Sequence, residues 1–172
     1  MQTKDEKGLF FAANVVWTEG RSGALESRGL PTLQVAAPPE FQGRENTWTP
    51  EHLYVGSVAS CFMATFVAIA ELSKLEFKSL SIEAAGKLEK VEGSGYAMIE
   101  IILKPTLVIR NSRDIERASR MLEKAEKKCF ISNSIKSRVK LEPRVYHEQN
   151  PSYPCPSVAA VDGAQKMDAS SI

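Results

Sequence analysis

The chain has 172 residues, of which 43% are apolar and 25% charged, enough for one globular domain with a substantial core but not for two separate domains. Its formal net charge of +1 excludes the strongly basic surface typical of proteins that bind nucleic acid or anionic lipid. The N-terminus is polar, and no segment is expected to provide the roughly 18 consecutive apolar residues of a membrane span. We therefore expect a cytoplasmic protein with no membrane segment and no nucleic-acid partner.

The first predicted element is a β-hairpin. Residues 8–17 are rich in aromatic and β-branched side chains, and a Gly-Arg-Ser-Gly turn at 20–23 separates them from a second extended run at 24–35. Residues 36–49 are rich in Pro, Glu, Gly and Asn, a composition typical of a loop. This loop leads into the most apolar part of the chain.

A long apolar helix is predicted from Thr49 to about Lys74. Thr49 is a good N-cap, while Pro50 and Glu51 suit the first helical turn. Between Leu53 and Leu72, Glu71 is the only strongly polar residue, so we expect protein to surround the helix on all sides. Small side chains on one side would let another helix approach closely, in this chain or in a second copy: Ser57, Cys61, Ala64, Thr65 and Ala68.

Two strands, a second helix and a last strand follow. Alternating apolar residues predict strands at 80–91 and 97–109 with a turn between them. Ser112 is the expected cap of a helix whose apolar positions, spaced by three and four, continue to Cys129 and Phe130. Alternation at 135–141 predicts the final strand.

The predicted element order is ββαββαβ, which indicates an α+β fold. We assign these elements to one domain at residues 1–148. Residues 149–172 contain three prolines, many small residues and no periodicity, so we expect an extended or partly disordered tail there.

The three cysteines of the chain do not form a disulfide framework, so each is judged separately. Free cysteine commonly packs as a small hydrophobe, and this is the simplest interpretation of Cys61 and Cys129. Both lie on apolar helix faces that need burial, however, so the fold has a way to bring them together. Cys155, between two prolines of the tail, is interpreted as incidental. His52 and His147 lack the close spacing of metal ligands, and we expect neither a metal nor a cofactor.

Three segments carry a family resemblance. The stretch TPEHLYVGSVASCF, the helix end KKCFISNSI and the strand SRVKLEPRVY resemble the OsmC/Ohr family of cysteine-based hydroperoxide reductases, in element order over residues 8–146. The resemblance implies an OsmC-like fold, with antiparallel sheets wrapped around a long buried helix in an intertwined homodimer. It also implies that Cys61 is the peroxidatic thiol, that Cys129 is the resolving thiol and that Glu51 is the family's helix-start glutamate.

The activating arginine of the family has more than one match. Ohr members carry it in a turn that matches Arg21, whereas OsmC members take it later in the chain, which leaves Arg28 and Arg44 open. A cation is expected because an attacking thiol needs a pKa below about 8.5, and Cys61 lies too far along its helix for the dipole to help. Glu51 would hold such an arginine by a bidentate pair.

The spacing of Glu51 and Cys61 adds a constraint. Ten helical residues span about 15 Å, so the two side chains of one continuous helix cannot share a site. Either the helix start bends away or the glutamate serves a partner subunit. The second possibility predicts a dimer with sites at the interface.

The expected function is reduction of organic hydroperoxides, fatty-acid or alkyl, to alcohols. Cys61 becomes a sulfenic acid, Cys129 condenses with it to a disulfide, and an external dithiol, in Ohr members a lipoylated protein, resets the enzyme. Phe130 stands where Ohr members usually have proline, which leaves the subgroup and the preferred peroxide open. The alternative is an OsmC-like domain that binds a small molecule or a partner without peroxidase activity. Several apolar side chains form either a peroxide-binding rim or ordinary core: Leu53, Phe62, Phe66, Trp48 and Phe41.

Overall fold

The structure is a computed structural model that describes residues 8–93 and 95–149. It divides into two compact units, Met1–Ser57 and Val58–Ile172. Most of the predicted tail, including Cys155, lies outside the described residues.

The first unit contains a three-stranded antiparallel sheet in the order β1-β2-β3. Its strands are β1 (Asn14–Glu19), β2 (Ser22–Glu26) and β3 (Leu33–Ala36). The predicted hairpin is present, but the second extended run is two strands rather than one. The chain turns between them at Gly29, whose φ of +78° is a conformation that glycine adopts without strain.

Helix α1 (Pro50–Leu72) begins where the sequence predicted. The Thr49 hydroxyl accepts a hydrogen bond from the His52 backbone N–H at 3.3 Å, as an N-cap should. Only one stripe of α1 is buried, at every fourth position: Val58, Phe62, Phe66 and Ala70. The expectation that protein covers the helix on all sides is thus wrong for the single chain, since Met63 is 45% exposed.

The apolar length of α1 also corrects the expectation that no segment is long and apolar enough to span a membrane. An 18-residue window of this helix has a mean hydropathy of 1.9, so by length and composition alone α1 could cross a membrane. This is weak support for a membrane span, because the core helix of a soluble protein has the same properties. The sequence prediction overlooked it because the polar and small residues within α1 interrupt its apolar runs.

The second unit is built on a mixed sheet. Strands β4 (Phe77–Val91) and β5 (Gly95–Ile109) form a long antiparallel hairpin. The predicted last strand is split into β6 (Arg138–Leu141) and β7 (Arg144–His147), and both pair with β5 in parallel rather than antiparallel. The break coincides with Pro143, which has no backbone N–H to donate to β5.

Helix α2 (Ile115–Lys128) packs against β7 and buries one face. A 3-10 turn, Ser112–Asp114, precedes it, and the side chain of Asn111 caps this turn by accepting from the Arg113 N–H. The N-cap of α2 itself is Asp114, which makes no side-chain capping bond, so the expectation that Ser112 caps the helix is wrong. The helix ends one residue before Cys129, which is extended at φ −66° and ψ 120°. Because the chain leaves the helix there, Phe130 no longer follows the helical periodicity and is 82% exposed. The core of the second unit is formed mainly by α1, α2 and β5, including Phe62, Phe66, Leu103, Leu107, Ile109 and Leu122.

Candidate active site

The second unit brings Cys61 and Cys129 together, although they are 68 positions apart in the sequence. Cys61 lies about three turns into α1, and Cys129 is the C-cap of α2. Both are free thiols, and the Cys129 thiol donates a hydrogen bond to the Cys61 sulfur. Cys129 is fully buried, whereas Cys61 is only partly buried. The less buried sulfur is therefore the one that an incoming molecule meets.

The backbone after α2 supplies donors to Cys61. The Ile131 N–H points at the Cys61 Sγ at 3.5 Å, and the Phe130 N–H contacts the same sulfur. Asn133 holds this turn in place, because its side-chain amide donates to the carbonyl oxygen of Cys129 at 2.8 Å and its backbone N–H donates to the same oxygen at 3.1 Å. Two N–H groups at one sulfur favour a negative charge there.

The pKa of Cys61 is lowered from the ordinary thiol value. Burial acts to raise this pKa, but hydrogen-bond donors outweigh it, in order of effect the Ile131 N–H, the Cys129 thiol, the Phe130 N–H and the Thr65 hydroxyl. The Thr65 hydroxyl donates its hydrogen bond to the Cys61 carbonyl oxygen at 2.8 Å, one helical turn back, so the other three groups are the main donors at the sulfur. A thiol with a lowered pKa is a nucleophile and reacts readily with peroxides.

Cys129 shows the opposite shift. Burial raises the pKa of its thiol, and although the hydroxyl and N–H of Ser132 act to lower it, the neighbouring Cys61 raises it further. Of the two thiols, Cys61 is therefore the one that ionises first. This asymmetry matches the roles that the family resemblance implies, an attacking Cys61 and a resolving Cys129.

Sequence reasoning missed the backbone donors. It assigned the activation of Cys61 to an arginine alone, whereas Phe130 and Ile131 contribute through N–H groups that every non-proline residue carries. The Ser/Asn-rich turn after Cys129 was the available signal. A side-chain pattern does not reveal where main-chain N–H groups point, since this depends on the dihedral angles of the turn.

Arg21 and Glu51 lie in the first unit. Arg21 follows β1, and its guanidinium donates to the carbonyl oxygen of Phe41. The Oε2 of Glu51 is buried and has no hydrogen-bond partner within residues 8–93 and 95–149. The expected bidentate pair between these two side chains is not formed in this part of the chain, and their action on Cys61 stays a prediction, as it does for Arg28 and Arg44.

Two members of the predicted apolar rim are core residues. Phe62 and Phe66 have no solvent exposure, and the ring of Phe66 packs edge-on against Phe77 with centroids 5.7 Å apart. Ordinary packing is therefore the correct interpretation of both. Trp48 remains 52% exposed.

Known proteins resemble this chain along most of its length. The model of the family described as OsmC-like protein matches residues 43–144. The uncharacterized protein YmaD of Bacillus subtilis is 30% identical over 137 residues, which cover 78% of this chain and 90% of that protein. The organic hydroperoxide resistance protein of Xanthomonas axonopodis pv. citri is 24% identical over 135 residues, which cover 76% and 91% of the two chains.

Solved structures give the same result for the fold. An OsmC-like protein of unknown function from Vibrio cholerae superimposes with a TM-score of 0.71 at 23% identity, over 77% of this chain and 97% of that one. The predicted α+β, OsmC-like fold is thereby confirmed. Because the family model matches more than half of the sequence, this chain belongs to the OsmC-like protein family.

Proposed function

We propose that this protein is a thiol-dependent peroxidase that reduces organic hydroperoxides, such as fatty-acid or alkyl hydroperoxides, to alcohols. One observation carries the proposal. Two free thiols are in contact, the pKa of the less buried Cys61 is lowered and the pKa of the buried Cys129 is raised. Similarity to a hydroperoxide resistance protein supports the choice of substrate.

The chemistry needs three steps. The Cys61 thiolate attacks one peroxide oxygen, the O–O bond breaks, and the alkoxide leaves and takes up a proton to become the alcohol, while Cys61 becomes a sulfenic acid. The Cys129 sulfur then attacks the Cys61 sulfur, water leaves, and a disulfide forms. An external dithiol, proposed to be a lipoylated protein in the cytoplasm, returns both thiols and is itself oxidised to a disulfide.

A homodimer with Arg21 and Glu51 at its active sites completes the proposal. The exposed, largely apolar side of α1 includes Met63, Ala64 and Ala68, and a second copy would cover it. The buried oxygen of Glu51 that lacks a partner supports pairing with an arginine, since an unpaired buried carboxylate oxygen is costly. Arg21, from the same or the partner subunit, would add a positive charge to the donors at Cys61.

The first test replaces each thiol in a background that carries Cys155→Ser. With cumene hydroperoxide, the wild-type pair should form a Cys61–Cys129 disulfide, detected by non-reducing mass spectrometry. The same disulfide should form more slowly with hydrogen peroxide. Cys61→Ser should lose all turnover, because it lacks the attacking sulfur. Cys129→Ser should stop at a sulfenic acid on Cys61 that dimedone traps. Unchanged hydroperoxide turnover by Cys61→Ser would instead support the alternative, a binding domain whose cysteines only pack.

A further inference from the structure

One peptide group after α2 faces the less buried thiol. It joins Phe130 to Ile131, and its N–H points at the Cys61 Sγ at 3.5 Å. This peptide group is planar and trans, so its C=O and its N–H point in opposite directions. A group that fixes the Phe130 carbonyl oxygen therefore also fixes the direction of the Ile131 N–H.

Ser134 holds the carbonyl side of this peptide group. Its hydroxyl donates to the Phe130 carbonyl oxygen at 2.8 Å. Hydrogen bonds thus run from the Ser134 hydroxyl, through the peptide group, to the Cys61 sulfur. A hydrogen bond to a carbonyl oxygen also polarises the amide, which makes its N–H a better donor. Ser134 can therefore act on Cys61 through the peptide group between them.

Asn133 fixes the turn that carries the same peptide group. Its side-chain amide donates to the carbonyl oxygens of Lys127 and Cys129, at 3.0 and 2.8 Å, and its backbone N–H donates to the Cys129 oxygen at 3.1 Å. The last carbonyl oxygens of a helix have no partner within the helix, so these bonds cap the end of α2. Because the Phe130–Ile131 peptide group lies between Cys129 and Asn133, the bonds that join these two residues hold it in one conformation.

We propose that Ser134 and Asn133 are positioning residues that aim the Ile131 N–H at the Cys61 sulfur and thereby stabilise the thiolate. The inference rests on the proposed function, since it concerns the thiol that would attack the peroxide. Cys129 is the titratable side chain in contact with Cys61, and its raised pKa keeps it protonated while Cys61 ionises. The charge that the peptide group stabilises is therefore that of Cys61.

The test measures the acidity of Cys61 in a Cys155→Ser background. The pH dependence of iodoacetamide alkylation is followed by mass spectrometry on the peptide that contains Cys61. In Ser134→Ala and in Asn133→Ala the midpoint should move to higher pH, because the Ile131 N–H is less well aimed. The acid dissociation constant should be about two- to threefold smaller in each variant and up to about fivefold smaller in the double variant, the full effect of one hydrogen bond. Ser134→Thr keeps the hydroxyl and should restore the wild-type midpoint.

Two residues at α2 provide matched controls. The Ser119 hydroxyl donates to the Ile115 carbonyl oxygen at 3.1 Å, four residues earlier, as the Ser134 hydroxyl does to Phe130. The Asn111 side chain caps the 3-10 turn at the other end of the helix. In urea unfolding, Ser119→Ala and Asn111→Ala should lose about as much stability as the test variants. Their Cys61 midpoints should nevertheless remain at the wild-type value.

The single variants decide the outcome. Ser134 and Asn133 are exposed, so both alanine variants are expected to fold. An unchanged midpoint in either folded variant, or an equal shift in its control, would overturn the inference for that residue. Faster alkylation at every pH without a shifted midpoint would also overturn it, because the turn would then only shield the thiol. Since iodoacetamide is not a hydroperoxide, failure of the wild-type protein to reduce hydroperoxides would refute the proposed function separately.

Discussion

Phe130→Pro tests whether a backbone N–H activates Cys61. Proline at this position removes the N–H that contacts the Cys61 sulfur. The preceding residue, Cys129, already has the extended conformation that a residue before proline prefers, with φ −66° and ψ 120°. The Phe130 side chain is 82% exposed, so loss of its ring should cost little stability. Phe130→Ala is the matched control, because it loses the same ring but keeps the N–H.

The expected effect follows from one lost hydrogen bond. The contact is to a partly exposed sulfur and is shared with the Ile131 N–H, which lies 3.5 Å away, so we assign it about 1 kcal/mol, within the usual net range. This free energy corresponds to about a fivefold smaller acid dissociation constant for the Cys61 thiol. At a pH below the thiol pKa, the thiolate fraction should fall by this factor, and the rate of alkylation should fall by the same factor or slightly less, since a more basic thiolate is more nucleophilic.

The assay is the pH dependence of iodoacetamide alkylation, followed by mass spectrometry on the peptide that contains Cys61. In Phe130→Pro the profile should shift to higher pH, because loss of a donor raises the thiol pKa, while the plateau at high pH should be equal or slightly higher. In Phe130→Ala both the midpoint and the plateau should match the wild-type protein. A misfolded variant would instead expose Cys129 to alkylation.

Two outcomes would refute the reasoning. If Phe130→Pro gives the wild-type profile while the protein remains folded, the N–H contributes nothing to the acidity of Cys61. If Phe130→Ala shifts the profile as far as Phe130→Pro, the ring rather than the N–H is responsible. Either result would remove the Phe130 N–H from the groups that lower the pKa of Cys61 and leave the Ile131 N–H and the Cys129 thiol as the main donors to its sulfur.

Two further predictions concern stability. Hydrogen bonds from Lys140, and then from Arg138, lower the pKa of Glu100 in the folded protein. The ionised carboxylate therefore stabilises the fold at pH values above the ordinary carboxyl pKa, and this stability is lost as the pH falls through the lowered pKa of the folded state. In urea unfolding, Glu100→Gln should therefore be less stable than wild type at pH 7 and should approach it at strongly acidic pH; a difference independent of pH would contradict this. Phe62→Ala removes a fully buried ring and should lower the free energy of unfolding by about 3–5 kcal/mol, whereas a loss below about 1 kcal/mol would show that Phe62 is not core.

The sequence by itself determined the elements whose signals are local. Thr49 and Pro50 mark the start of α1 because capping and proline geometry act within one helical turn. Apolar spacing located α2 and the β4–β5 hairpin for the same reason. Cys61 and Cys129 could be selected as a candidate pair, since both lie on segments that need burial.

Only the tertiary structure decided which donors meet at the sulfurs. The parallel pairing of β6 and β7 with β5 joins segments distant in sequence, which periodicity does not encode. Likewise, the chain leaves α2 at Cys129 in an extended conformation. The N–H groups of Phe130 and Ile131 therefore point toward Cys61, about 70 positions earlier in the sequence. Main-chain N–H groups are common to almost all residues, so their direction, and with it the acidity of Cys61, is a property of the folded backbone.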